Sequence, residues 1–75
     1  MKTQFVLCVD NSAYPASLEV HKIYRVIPDQ DGERDGDLRV IDESGGDYLY
    51  PAKYFFAIDL PKETERVLMD SFDRT

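Results

Sequence analysis

The sequence contains no tryptophan, one cysteine and one histidine among its 75 residues. Because Cys8 has no second cysteine to pair with, an intramolecular disulfide and a multi-cysteine zinc site are excluded within this chain. The lone His21 likewise excludes a histidine-rich metal centre. The longest apolar run, residues 5–9, spans five residues, whereas a membrane-spanning helix needs roughly 18–20. These absences predict a small domain without disulfides, structural zinc or a membrane-spanning helix.

The composition indicates a folded globular chain. Hydrophobic residues make up 43% of the sequence and charged residues 32%, whereas disordered chains combine low hydrophobicity with high net charge. A chain of this length forms one domain and buries only roughly 60% of its unfolded surface, so we expect a thin core. Residues 1–4 lack the apolar stretch of a signal peptide, and we therefore expect a cytoplasmic location.

The negative charge is concentrated in one segment. The chain carries nine Lys and Arg against fifteen Asp and Glu, a net charge of −6. Residues 29–47, called the acidic segment below, hold eight acids and two bases and so account for all of that charge. Because phosphate backbones bind clustered Lys and Arg, we expect neither nucleic acid nor an anionic membrane as a partner. The acidic segment would favour a basic protein partner; its simpler role is a solvated surface that aids solubility.

Short apolar or alternating runs, bounded by turn residues, predict five strands. Within the second of them, Tyr24 and Val26 are expected to share one face, because successive side chains alternate across a strand. The five predicted strands cover residues 4–10, 20–27, 38–42, 48–50 and 55–58.

Proline and glycine mark the connections between these strands. Pro28 and Pro51 each end a predicted strand, because proline cannot donate a hydrogen bond to a neighbouring strand. Gly32 and Gly36 are turn signals, and residues 29–37 are therefore predicted to be a long hairpin tip or an exposed loop. The other connections are predicted as a loop at residues 11–17, a tight turn at 43–47 and a single 3₁₀ turn at 52–54.

The tail of the chain has helical spacing. Pro61 suits the first turn of a helix, and Glu63 and Glu65 complement the helix dipole at that end. We therefore divide the chain into a β unit at residues 1–59 and a helical extension at 60–75, which packs on the β unit or on a partner. The apolar stripe of this helix consists of Val67, Leu68 and Phe72.

Two segments resemble the Src-homology-three family. Residues 17–22, Ser-Leu-Glu-Val-His-Lys, are similar to the Leu-Ser-Phe-x-Lys-Gly stretch that ends the long first loop of that family. Residues 50–55, Tyr-Pro-Ala-Lys-Tyr-Phe, are similar to its apolar-Pro-x-Asn-Tyr-Val segment. The resemblance in order and spacing covers residues 5–58 and implies a mainly β fold, a small five-stranded barrel with a short C-terminal α-helix. Residues 42–55 also resemble the ending of small uncharacterised bacterial and phage proteins, which implies a similar origin.

The resemblance does not extend to the binding site of that family. Its members bind proline-rich peptides on a shelf of aromatic residues. Only Pro51 and Tyr54 match this shelf; the two tyrosine positions near the first strand fall at Cys8 and Asp10, and the tryptophan is missing. The resemblance therefore implies the fold without the family's mode of proline-peptide recognition.

Tyrosines are the most prominent candidates for a binding surface. The chain has five tyrosines and four phenylalanines, and tyrosine is favoured at interfaces because it offers rigid area with a hydrogen-bonding tip. We expect Tyr24 and Tyr50 to fill the core, and other tyrosines to line an exposed shelf. The candidate protein-binding residues, on this shelf and on the apolar stripe of the tail helix, are Tyr14, Tyr48, Pro51, Tyr54, Val67, Leu68 and Phe72.

One group of acids approximates a calcium-binding loop. Asp31, Glu33, Asp35 and Asp42 fall at positions one, three, five and twelve of such a loop. The flanking residues predict strands rather than helices, and Arg34 places a cation among the ligands. We therefore expect no metal or other cofactor, with cation binding by this loop left open.

Catalysis finds little support in the sequence. Cys8 lies in the most apolar run, where a thiol usually serves packing, and His21 has no evident serine or cysteine partner. We therefore predict a non-enzymatic protein-binding module or small accessory protein. The alternatives are a homodimeric structural unit whose tail helices complete a thin core, and a nucleic-acid-associated regulator, which the net charge of −6 disfavours.

Overall fold

The computed structural model describes residues 5–73, with side chains described as far as Ser71. Five antiparallel strands form one sheet in the order β4-β3-β2-β1-β5, and the sheet is not closed, because β4 and β5 are its two edges. The prediction of a mainly β chain with a short C-terminal helix is confirmed. Neither helix in the described residues is long and apolar enough to cross a membrane. The elements are β1 Phe5–Cys8, β2 Ile23–Ile27, α1 Gln30–Arg34, β3 Asp37–Ile41, β4 Asp47–Pro51, a 3₁₀ turn Ala52–Tyr54, β5 Phe55–Ile58 and α2 Lys62–Asp73.

The main buried cluster lies on one face of the sheet, and Phe5, 1% exposed, is buried on the other. Strand alternation sends every second side chain to the face of the main cluster, and Tyr24 and Val26, predicted to share a face, are both buried there. Cross-strand pairs such as Val6 with Tyr24 and Cys8 with Phe55 bring the rows of neighbouring strands together. The buried cluster consists of Val6, Cys8, Leu18, Tyr24, Val26, Val40, Tyr50, Tyr54 and Phe55.

The prediction of a loop or hairpin tip at residues 29–37 is wrong, because a short helix, α1, lies there. Asp29 caps this helix: its Oδ1 accepts the backbone N–H of Gly32 (2.9 Å), while its Oδ2 accepts Nε of Arg39 (2.8 Å) from β3. Gly36, with φ of 85°, lets the chain leave the helix in the left-handed conformation. The two glycines thus serve a helix and its end rather than a hairpin.

Strand β2 begins at Ile23 rather than at Val20, because the chain turns at His21. The φ of His21 is 71°, in the left-handed region that favours glycine. The N–H of His21 donates to the carbonyl of Cys8 (2.6 Å), and the N–H of Cys8 donates to the carbonyl of Lys22 (2.9 Å). His21 is therefore a turn residue fastened to the end of β1, and the prediction that it lies in a strand is wrong.

Replacing His21 with glycine is expected to stabilise the protein by about 0.5–1 kcal/mol, because glycine adopts positive φ without the strain that a Cβ imposes. Val20→Gly is the matched control: Val20 precedes His21 and has no positive φ, so this change should destabilise by a similar amount, about 0.5–1 kcal/mol. Urea unfolding followed by circular dichroism measures both. A His21→Gly variant less stable than the wild type would contradict the turn geometry.

Candidate functional site

The loop between β1 and β2 positions Tyr14. Leu18, near the end of this loop, is fully buried in the core, and the side-chain amide of Asn11 donates across the loop to the carbonyl of Leu18 (2.8 Å). The N–H groups of Ser17 and Leu18 both donate to the carbonyl of Tyr14 (3.1 Å each). These bonds hold the loop in one shape and present Tyr14 on it.

Three tyrosine rings meet where this loop crosses the end of β4. The ring of Tyr14 packs edge-on against Tyr50, with centroids 5.0 Å apart and planes at 80°, and against Tyr54 at 6.2 Å and 62°. Edge-to-face geometry is the favoured arrangement of aromatic pairs. Tyr50 and Tyr54 are buried, whereas Tyr14 stays 41% exposed. We call these three residues the tyrosine cluster. Its exposed part is the ring of Tyr14, which packs against the two buried rings.

The structure brings together some of the predicted shelf residues but not all. Tyr14 and Tyr54 are in contact, and the half-buried Pro51 ends β4 directly after Tyr50. Tyr54 is only 8% exposed because its ring belongs to the core, so it supports Tyr14 rather than forming an open shelf. Tyr48 is exposed, two residues before Tyr50 on β4.

The predicted apolar stripe on α2 is divided between surface and half-buried positions. Val67 is 66% exposed, while Leu68 is half-buried. The side chain of Phe72 lies outside the described residues. The described part of the stripe therefore leaves Val67 as its open apolar side chain.

A buried carboxylate lies under the tyrosine cluster. Asp42 is 6% exposed and accepts three hydrogen bonds: from the hydroxyl of Tyr50 (2.5 Å), from Oγ of Ser44 (2.5 Å) and from the N–H of Ser44 (2.9 Å). Burial by itself would raise the pKa of Asp42, but the bonds from Ser44 and Tyr50 outweigh it and hold the pKa below its usual value. Burial and the bond to Asp42 raise the pKa of Tyr50 to about 12.

A second tyrosine–carboxylate pair lies beside the first. Tyr24 donates its hydroxyl hydrogen to Glu43, and the same hydroxyl oxygen accepts the N–H of Glu19 (2.8 Å). Lys22 Nζ lies 2.6 Å from an oxygen of Glu43, and the N–H of Glu43 donates to the carbonyl of Ser17 (3.0 Å). Lys22 and then Tyr24 lower the pKa of Glu43, while burial and Glu43 raise the pKa of Tyr24.

The Tyr24–Glu43 pair fastens the β1–β2 loop to the turn after β3, because Tyr24 accepts the N–H of Glu19 and Glu43 donates its N–H to Ser17. It joins residues 19 positions apart in the chain. The Asp42–Tyr50 pair, eight positions apart, joins the same turn to β4. Neither pair is predicted from the sequence. The sequence shows two adjacent acids, Asp42 and Glu43, at the end of a predicted strand. It does not show their hydrogen-bond partners, because these depend on which segments fold against the two carboxylates. The network makes the base of the tyrosine cluster rigid.

The acids that approximate a calcium-binding loop in the sequence are not gathered into one group in the described part of the chain. Asp31 and Glu33 lie in the first turn of α1, and Asp35 caps its end. Nowhere among the residues with described side chains do three or more His, Cys, Asp or Glu side chains gather to hold a metal ion. Two acids of the acidic segment are instead paired with one base, because Arg39 lies 2.8 Å from Asp29 and 3.2 Å from Asp47.

Comparison of the chain with known proteins identifies no similar protein. The chain matches no family model, no curated protein and no solved structure. The geometry described above is therefore the basis for any statement about function.

Alkaline pH is expected to destabilise the protein through Tyr50. Its pKa is raised from 10.0 to about 12 on folding, so its contribution is complete below pH 10 and is lost as pH rises from about 10 to about 12. We expect the melting temperature to fall over this range, and to fall less in Tyr50→Phe than in the wild type. Tyr48→Phe, at an exposed position on the same strand, is the control and should follow the wild type. Equal pH dependence in all three proteins would contradict the role of Tyr50.

Proposed function

We propose that the protein is a non-enzymatic protein-binding module that docks its partner on the tyrosine cluster. The observation that carries this proposal is the half-exposed ring of Tyr14, held edge-on against Tyr50 and Tyr54. A partner that covers this ring gains apolar contact area without paying for the ordering of the loop, since the loop is already hydrogen-bonded in place. Exposed tyrosines on rigid supports are typical of residues that contribute most to binding.

The chemistry of the remaining side chains agrees with a binding role. Burial raises the pKa of the Cys8 thiol, which disfavours the reactive thiolate. A free buried thiol is also compatible with the reducing cytoplasm, where we place the protein as part of this proposal. The exposed acids of the acidic segment, such as Asp31 and Asp35, would attract a partner with basic residues and accelerate its association at low salt.

We also propose that the sheet curls into a barrel of the Src-homology-three type. The strand order, the long β1–β2 loop, the tight turn between β3 and β4 and the 3₁₀ turn before β5 support this proposal. In such a barrel the β1–β2 loop and the 3₁₀ turn lie side by side, in agreement with the contact between Tyr14 and Tyr54.

Selection of peptides on the immobilised protein tests the proposed function. A displayed library of random peptides is expected to yield binders enriched in Lys and Arg. We expect Tyr14→Ala to weaken these binders at least about tenfold, because large buried aromatic contacts contribute about 2 kcal/mol or more at an interface. Val67→Ala, an exposed apolar side chain on α2, is the matched control and should change binding less than about twofold.

Two further measurements separate loss of binding from loss of folding. Circular dichroism establishes that Tyr14→Ala folds, and Tyr14→Phe keeps the ring and should retain most of the binding. Failure to select any peptide, unchanged binding by Tyr14→Ala, or loss of binding in Val67→Ala alone would each reject the tyrosine cluster as the docking surface. The last result would assign docking to the helix stripe instead.

A further inference from the structure

The outer edge of β5 has backbone groups that no described residue pairs with. The N–H of Val9 donates to the carbonyl of Tyr54 (2.8 Å), and hydrogen-bonded pairs alternate along an antiparallel ladder. The register of Leu7 with Phe56 and Val6 with Ala57 therefore directs the backbone of Phe56 towards β1 and that of Ala57 away from it. The N–H and carbonyl of Ala57 consequently face outwards on the open edge of the sheet.

The two central side chains of this edge are apolar and exposed. Strand β5 contains no charged residue, Phe56 is 65% exposed and Ala57 is exposed as well. Proteins usually protect edge strands with charge, proline or a covering element. The opposite edge, β4, has two of these: it begins at Asp47 and ends at Pro51, and its Leu49 side chain also approaches Gly32 of α1. The β5 edge, which has neither charge nor proline within the strand, is thus the less protected one.

We propose that β5 pairs antiparallel with β5 of a second copy of this chain, across a twofold axis at Ala57. In this register the N–H of each Ala57 donates to the carbonyl of the other. The carbonyl of Phe55 accepts the N–H of Asp59 in the second copy, and Phe56 packs against Ile58 of the second copy on the outer face of the joined sheet. The edge is self-complementary, as a twofold interface requires.

The charge distribution selects the β5 edge for self-association. The acidic segment, with its net charge of −6, covers α1, β3 and the start of β4, at the other end of the strand order from β5. Two copies joined through β5 keep these segments apart, whereas copies joined through β4 would bring them together at a cost in repulsion. A basic partner has no acid within β5 itself to attract it, so a second copy fits this edge better.

Analytical ultracentrifugation of the full chain tests this proposal. Four strand residues make a small interface, so we expect weak association that becomes visible between about 10 µM and about 1 mM. Over this range the average mass should rise from 8.7 kDa towards twice that value. Ala57→Pro removes the two central donors without touching the bonds to β1, since proline is tolerated where an edge N–H faces solvent. It is expected to weaken association at least about tenfold.

A matched pair of lysine substitutions separates this interface from one made by α2. Phe56→Lys and Val67→Lys change side chains of nearly equal exposure, 65% and 66%. We expect the first to abolish association and the second to leave it unchanged. Both can be checked for folding by circular dichroism, so the test does not depend on Ala57→Pro. Tyr14→Ala should associate like the wild type, which separates this proposal from the proposed binding function.

Three outcomes would overturn the β5 interface. They are a wild-type protein that stays monomeric at every concentration, loss of association in Val67→Lys but not in Phe56→Lys, and association unchanged in both β5 variants. The second would assign dimerisation to the tail helix.

Discussion

Replacing Asp42 with alanine is expected to lower the free energy of unfolding by about 3–5 kcal/mol. The change leaves the hydroxyl of Tyr50 and the N–H and hydroxyl of Ser44 without their acceptor. Hydrogen bonds to a charged group contribute about 1.5–3 kcal/mol each, and a buried donor left unpaired costs about 1–3 kcal/mol. A chain of this size has a total stability of roughly 4–11 kcal/mol, so the loss amounts to between about a quarter and all of it.

Asp47→Ala is the control for Asp42→Ala. Asp47 is also an acid of the same β3–β4 hairpin, but it is half-exposed, and its ion pair among the described residues is with Arg39 at 3.2 Å. An exposed ion pair contributes at most about 1 kcal/mol, so Asp47→Ala should be nearly neutral. Thermal melts distinguish the two, because about 1 kcal/mol shifts the melting temperature of a small domain by about 4–8 °C. Similar melting temperatures for both variants would show that Asp42 is not the buried acceptor described here.

Leu18→Ala is expected to destabilise the protein by about 2–5 kcal/mol. Leu18 lies in a loop, yet it is fully buried in the core cluster. Removing a buried leucine side chain loses its transfer free energy and leaves a cavity that the surroundings fill only in part. The same change should loosen the loop that holds Tyr14, since the carbonyl of Leu18 accepts the side chain of Asn11. Amide hydrogen exchange at positions 17 and 18 should therefore accelerate in the variant.

Val20→Ala provides the comparison for Leu18→Ala. Val20 lies two residues further along the same loop and is partly exposed, so its truncation should change stability by less than about 0.5 kcal/mol. If Leu18→Ala proved as mild as Val20→Ala, Leu18 would be a surface loop residue and the anchoring of Tyr14 would need another explanation.

The regular elements could largely be predicted from the sequence. Residues 55–58 form β5 and residues 52–54 form the 3₁₀ turn, both within the predicted bounds, because Pro51 and the apolar run after it are local signals. The predicted helix at the end of the chain is α2. The helix within residues 29–37 is not predicted, because a glycine such as Gly32 usually indicates a turn. Its contact with Leu49, which leaves no room for a side chain at position 32, is visible only in the structure.

The candidate site was less accessible to prediction. Tyr14 lies in the predicted loop at residues 11–17, but nothing in the neighbouring sequence indicates that its ring contacts Tyr50, 36 positions further along the chain. The exposure of Phe56 also went unnoticed, since alternation assigns it to one face of β5 without saying whether that face is covered. His21 shows the same limit for the backbone: its positive φ follows from the turn onto β1 and not from the preference of histidine.

By itself the sequence determined the number of strands and their positions along the chain, the final helix and the position of the acidic segment. These features depend on alternation, turn residues and charge, which act over a few neighbouring positions. Only the tertiary structure decided that Leu18 enters the core, that Asp42 and Glu43 accept tyrosine hydroxyls, and that β5 is an open edge. Burial and hydrogen-bond partners are properties of segments that meet in space, and a single sequence does not specify which segments meet.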